Sequence, residues 1–294
     1  MAVARERGAS CEEGRIGQPA HMPPPTDAQR LAERLRPEGT PAMRQRWANL
    51  LFLHWAWEPA EIQKTLPAGL TVDLHKGKAW LGLVPFFMER VRPNGCPPVP
   101  GVSDFLELNV RTYVYDKLGR PGVWFYSLDC NRWLAVKVAR AFFNLPYEHA
   151  VMRAVVDRET GEIEYGAKRK GAAEESRFRW KSATGERAAL AGPGSLEFFL
   201  IERYRLFAED RDGGLWSGRV HHTPYRIAAA EAPVWDDVML RLAGFDRGAR
   251  GPDHSCAAEA VDVEVWPLRR VAEGDAAEDA AGAGEVLGTA AAPA

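Results

Sequence analysis

The chain predicts a mainly antiparallel β domain with a few packing helices, and three observations carry that prediction. Short runs rich in aromatic and β-branched residues recur along the sequence, several of them with period-two alternation. Between the runs stand Gly, Pro, Asn and Asp turn signals. With 294 residues, 46% of them hydrophobic, the chain has material for a substantial core.

Taken in order, residues 1–43 are rich in charge, Ala and Pro and read as a flexible N-terminal extension. Within it, Ala28 to Arg36 has the composition of a short helix that Pro37 and Gly39 stop. Trp47 to Trp57 is nearly continuous apolar sequence, broken by Asn49 and His54. Its length fits a buried strand or a short helix, and local alternation with Pro59 favours the strand. Pro59 to Leu66 has helical periodicity ended by Pro67 and Gly69. Strands follow at Ala79–Phe87, Phe105–Tyr115 and Val123–Cys130. Trp133 to Phe143 reads as a helix that Asn144 and Pro146 terminate. Tyr147–Val156, Glu162–Lys168 and Ser176–Lys181 resemble antiparallel strands joined by polar turns. Ser195, after Gly192-Pro193-Gly194, is placed to cap a helix from Leu196 to about Tyr204. Strands near Leu215–His221, Tyr225–Ala230 and Ala258–Trp266 complete a single domain over residues 44–270. The acidic, Ala-rich residues 271–294 read as a disordered tail.

Composition removes several function classes. A formal net charge of -2 and the absence of a long basic tract give no strong attraction to nucleic acid. No apolar run reaches membrane-spanning length and no signal-peptide core stands at the N-terminus, so no membrane association and a cytoplasmic location are expected. Cys11, Cys96, Cys130 and Cys256 are widely spaced, without a CxxC pair, and read as isolated thiols. HExxH and Cys/His clusters are missing, Gly192-Pro193-Gly194-Ser195 lacks the GxSxG pattern, and the glycines form no nucleotide-binding loop. Neither a metal nor a cofactor is therefore expected.

The chemically informative stretch is Phe105–Tyr115. Strand alternation sends Glu107, Asn109, Arg111 and Tyr113 to one side and Leu108, Val110, Thr112 and Val114 to the other. The polar row is either a solvated face or the wall of a partly buried polar cavity. Arg111 offers a planar donor fork suited to a carboxylate or another oxyanion. Asn109 is a candidate to orient a ligand carbonyl, and Glu107 to exchange a proton; the alternative is an internal ion-pair network. Glu202-Arg203-Tyr204-Arg205 is a second polar cluster. Helical spacing predicts a Glu202–Arg205 surface pair, leaving Arg203 and Tyr204 as further ligand-binding candidates. His222, in His221-His222-Thr223-Pro224-Tyr225, is a candidate for proton transfer. Asp129, Glu148 and His149 are expected near a cavity mouth or at ordinary turns.

At Glu107–Tyr115, Trp124–Asp129, Leu145–His149 and Phe199–Leu206, the chain resembles the YqjF-like, uncharacterised DUF2071 family. The likeness extends over most of the chain between its tails. That family looks related to the acetoacetate-decarboxylase-like superfamily, which implies a large antiparallel β-barrel or cone with an internal cavity. In acetoacetate decarboxylase a lysine, following a glycine, an aromatic residue and a proline, forms a Schiff base. The similar bend here is Asn144-Leu145-Pro146-Tyr147-Glu148, with Tyr147 and Glu148 where the paired lysines would stand. Neither supplies an imine-forming amine. The expected partner is a small acidic or carbonyl-containing molecule, with homo-oligomerisation also open. The functional alternatives are binding without turnover, a lyase-like enzyme acting on a small ketoacid, and a structural or interaction protein.

Overall fold

The computed structural model describes residues 23–132, 144–181, 188–248 and 250–271. The expected Trp133–Phe143 helix lies outside these residues, as does most of each terminal segment.

Helix α1 (Asp27–Ala32) starts at Thr26, whose hydroxyl accepts the Gln29 amide proton while the Gln29 side chain returns to the Thr26 backbone. The apolar run that follows makes two strands, β1 (Met43–Ala48) and β2 (Leu50–Trp57). The single strand expected over Trp47–Trp57 is broken because Asn49 takes a left-handed φ of 50°, which Asn tolerates better than most residues. Helix α2 (Pro59–Gln63), with Pro at its first turn, leads to β3 (Leu70–Val72) and to the long strands β4 (Ala79–Pro93), β5 (Phe105–Asp116) and β6 (Pro121–Cys130). A meander of β7 (Tyr147–Val156), β8 (Glu162–Arg169) and β9 (Ser176–Lys181) comes next, then β10 (Ala189–Leu190). Helix α3 (Leu196–Ile201) is capped by the Ser195 hydroxyl, and it ends three residues earlier than expected. The remaining elements are β11 (Arg205–Glu209), β12 (Leu215–His221), β13 (Arg226–Ala229), α4 (Val238–Leu242), β14 (His254–Ala258), β15 (Val261–Val265) and β16 (Arg269–Arg270).

Strand pairing runs round a closed circuit from β4 through β5, β6, β11, β12, β15 and β1 back to β4. The length of β4 makes this possible. Its N-terminal part pairs with β2 and its C-terminal part with β1, so a side branch of β2, β14, β13 and β10 leaves the ring there. Pairing is antiparallel except where β6 meets β11 and β7, which lie parallel to it.

Two apolar clusters lie on opposite faces of the strands. Phe52, Trp80, Val84, Phe86, Tyr113 and Val263 belong to the one that fills the ring, joined by Phe199, Leu200 and Ile201 of α3. The other joins Leu53, Leu81, Leu83, Leu108 and Val110 to the β8–β9 hairpin and α4. Alternate residues of β4 and β5 therefore serve different cores, and both faces are largely buried.

The arm before β1 is fastened by ion pairs. Arg30 bonds Asp73 at 2.5 and 2.8 Å, Arg34 reaches Glu202 at 3.0 Å, and Glu33 accepts from Arg205 at 2.9 Å. These contacts replace the expected Glu202–Arg205 pair. The helix stops at Ile201, so the two residues are not on adjacent helical turns, and each takes a partner from the arm.

Candidate functional site

Strand β5 carries the polar row on the face that fills the ring. Opposite it, Gly82 of β4 pairs with Arg111, Val84 with Asn109 and Phe86 with Glu107. Gly82 leaves room for this arrangement. A Cβ there would lie 3.2 Å from Tyr113 Oη and 3.3 Å from both Arg111 Cγ and His54 Cδ2. Three polar side chains converge in the space its missing methyl leaves.

At one end of the row Glu107 is buried and accepts a 2.8 Å hydrogen bond from Tyr147 Oη. The Asn109 side chain also hydrogen-bonds this carboxylate, while Asn109 Oδ1 is buried without a protein partner. Burial lifts the Glu107 pKa to about 7, opposed by those hydrogen bonds and assisted by Asp129. Burial thus carries the titration of Glu107 up towards neutral pH, with the Tyr147 hydroxyl donating to its carboxylate.

At the other end Arg111 is half-buried. Its guanidinium sits 5.4 Å from the Phe52 ring and 5.7 Å from the Tyr113 ring, donates to the Leu200 carbonyl at 3.3 Å, and hydrogen-bonds Tyr113. Its Nε has no partner, and among the described residues no carboxylate forms a salt bridge with it. Arg203 also approaches the Tyr113 ring, at 5.1 Å, but its charge is already matched by Asp73 at 2.9 Å. The two arginines meet at one tyrosine, and of the two Arg203 has a carboxylate partner among the described residues.

A further set of residues joins this end. Tyr113 Oη lies 2.8 Å from His54 Nε2, His54 Nδ1 lies 3.1 Å from His254 Nδ1, and His254 Nε2 lies 3.6 Å from a Glu197 carboxylate oxygen. Sequence reading noted His54 only as an interruption of an apolar run. His254 is 200 residues away, brought alongside by the β2–β14 register. No local signal pairs them.

The other candidates are placed apart from the row or committed elsewhere. Tyr204 donates to Glu202 at 2.5 Å and stacks on His222, with ring centres 4.6 Å apart. His222 Nδ1 bonds the Thr223 carbonyl at 2.7 Å, and burial lowers its pKa to about 4, so the imidazole is neutral at pH 7. Asp129 is turned to the opposite face. The β5–β6 register shifts between Val110 and Arg111, where Tyr126 is the extra residue; beyond it Leu128 and Cys130 oppose Asn109 and Glu107, while Asp129 opposes Leu108. There Asp129 is fully buried and held by Arg169 at 2.6 and 2.7 Å. Glu148 and His149, half-buried on β7, stand in register with Asp129 and Cys130. Two open surface grooves, one beside Arg153 and Arg177 and one beside Asp104 and Asn131, lie away from Arg111.

Every lysine among the described residues is exposed, so none of them offers an amine to the interior. Among the described residues no group of three or more His, Cys, Asp or Glu side chains is arranged to hold a metal ion. No helix among them is long and apolar enough to cross a membrane.

The strand-rich ring with few helices defines an acetoacetate-decarboxylase-like fold. It is shared with the enduracididine biosynthesis enzyme MppR in complex with pyruvate, at TM-score 0.54 and 14% identity, covering 80% of this chain and 92% of that one. An acetoacetate decarboxylase-like enzyme from Sphingomonas wittichii RW1 matches at TM-score 0.54 and 14% identity, over 79% of this chain and 94% of the other. The chain belongs to the DUF2071 family of uncharacterized conserved proteins, which matches residues 44–262. It is 36% identical over 237 residues to the uncharacterized protein YqjF of Bacillus subtilis (strain 168), covering 80% of this chain and 94% of that protein.

Proposed function

We propose that this protein binds a small carboxylate or carbonyl-containing anion inside the strand ring, with Arg111 as the charge that holds it. The carrying observation is the state of that guanidinium: half-buried, with an unpartnered Nε and no carboxylate counter-ion among the described residues. A cation so placed has a bidentate donor face to offer, and desolvation strengthens each hydrogen bond it makes. Asn109, with a free carbonyl oxygen, orients the ligand, and Tyr113 lines the same wall. Arg203 and Tyr204 act behind that wall, through Asp73 and Glu202. The fold neighbour solved with pyruvate supports a ligand of this size and charge.

Catalysis of proton transfer on such a ligand is the second reading, and Glu107 favours it. A carboxyl with a pKa of about 7 is matched to accepting or giving a proton at neutral pH, and Arg111 on the same strand face stabilises negative charge. Imine chemistry receives no support from the described residues, whose lysines are all exposed.

Isothermal titration with pyruvate, acetoacetate and other small carboxylates tests the binding claim. The wild type is expected to bind at least one of them. Arg111→Gln should then weaken that affinity by roughly tenfold to a hundredfold, the worth of a charge-assisted hydrogen bond. Equal affinity in the variant would remove Arg111 from the site.

A further inference from the structure

We propose that Tyr113, His54, His254 and Glu197 form a proton relay linking the Arg111 site to solvent. The proposal rests on the reading of Arg111 as the anion site. The geometry is a file of side chains, in hydrogen-bond contact from Tyr113 Oη through His54 to His254 at 2.8 and 3.1 Å and in ion-pair range of the Glu197 carboxylate at 3.6 Å. Its inner members, Tyr113 and His54, are 0% exposed, whereas the Glu197 side chain is 41% exposed and meets bulk water.

The chemistry of the file fixes its polarity. Burial, the neighbouring His254 and Arg111 all hold His54 in its neutral form, and burial does the same for His254 against the pull of Glu197. Two neutral imidazoles whose Nδ1 atoms face each other share one proton, so one donates and the other accepts. The carboxylate at the outer end selects the direction: His254 Nε2–H points to Glu197, His54 Nδ1–H to His254, and the Tyr113 hydroxyl to His54 Nε2. Arg111, which only donates, directs one N–H to a lone pair of the Tyr113 oxygen and keeps its Nε unpartnered.

In this arrangement a proton leaving a ligand bound at Arg111 passes to Tyr113 Oη. The original hydroxyl proton moves to His54 Nε2, the His54 Nδ1 proton to His254 Nδ1, and the His254 Nε2 proton to Glu197. The ligand has lost one proton and keeps the electron pair beside the guanidinium. Glu197 has gained that proton and releases it to water. Tyr113 is the member that touches ligand; His54 and His254 act through it.

The test is solvent exchange of the His54 ring proton in the full-length chain, by NMR with histidine ring nitrogens labelled. His54 is expected as the Nδ1–H tautomer and His254 as the Nε2–H tautomer. In His254→Phe the His54 proton should exchange roughly tenfold more slowly or less often still, with a smaller slowing in Glu197→Gln. The opposite tautomers overturn the polarity. Wild-type exchange in His254→Phe, or in His254→Asn should the phenylalanine variant not fold, overturns the relay. Pyruvate titration keeps the two readings separate. Arg111-dependent binding with exchange indifferent to His254 defeats the relay alone, and relay-dependent exchange without any binding defeats the anion site alone.

Discussion

Glu107 shows how a single side chain couples stability to chemistry. Its folded pKa of about 7 stands above the ordinary 4.5, so the folded state holds this proton more tightly than the unfolded chain does. The stabilisation is therefore complete below pH 4.5 and is lost as pH rises through about 7. The difference corresponds to on the order of 3 kcal/mol for a fully buried group. Urea denaturation of wild type and Glu107→Gln at pH 5 and pH 8 should show a steeper decline in the wild type. Equal slopes would mean that this carboxyl does not carry the pH dependence. At this scale the sequence was partly readable. Alternation alone put Glu107, Asn109, Arg111 and Tyr113 on one face, because a regular strand has no other choice. It could not say that His54 would meet Tyr113, or that Asp73 would take Arg203, since both pairings join residues far apart in sequence.

At the scale of elements, the ring depends on a close approach between β6 and β11. Gly122 makes it possible: a Cβ there would lie 2.7 Å from Phe207 Cε2 and 2.9 Å from the Arg205 carbonyl oxygen, which is backbone and cannot rotate away. Gly122→Ala is expected to destabilise by about 2 kcal/mol or more, read as a lower urea midpoint at unchanged slope. A midpoint equal to wild type would show that the parallel β6–β11 contact is looser than described. The strands themselves were largely legible from their aromatic and β-branched runs. The short elements β3, β11 and β14 were not, because three to five residues carry too little periodicity to separate from loop. Nor was the extra residue Tyr126 visible, and with it Asp129 opposes Leu108 and not Glu107.

Across the whole molecule, Asp73 is the point where the arm, the sheet and α3 meet. It is fully buried, bonds both Arg30 and Arg203, and its amide donates to the Tyr113 carbonyl at 2.9 Å. Asp73→Ala leaves the buried Arg203 guanidinium without its carboxylate and Arg30 with only the 3.9 Å carboxylate contact to Asp27, and a loss of about 3–5 kcal/mol is expected in urea denaturation. A loss below about 1 kcal/mol would indicate that water already serves those arginines. The contrast with Arg111 carries the functional argument, for the fold supplies an acid to one interior arginine and none among the described residues to the other. A crystal structure of the protein saturated with pyruvate, or with whichever small carboxylate binds in titration, tests that contrast most directly. The account predicts the carboxylate within hydrogen-bonding distance of the Arg111 guanidinium, inside the strand ring. A carboxylate bound elsewhere, with Arg111 still closed on Leu200 and Tyr113, would contradict it.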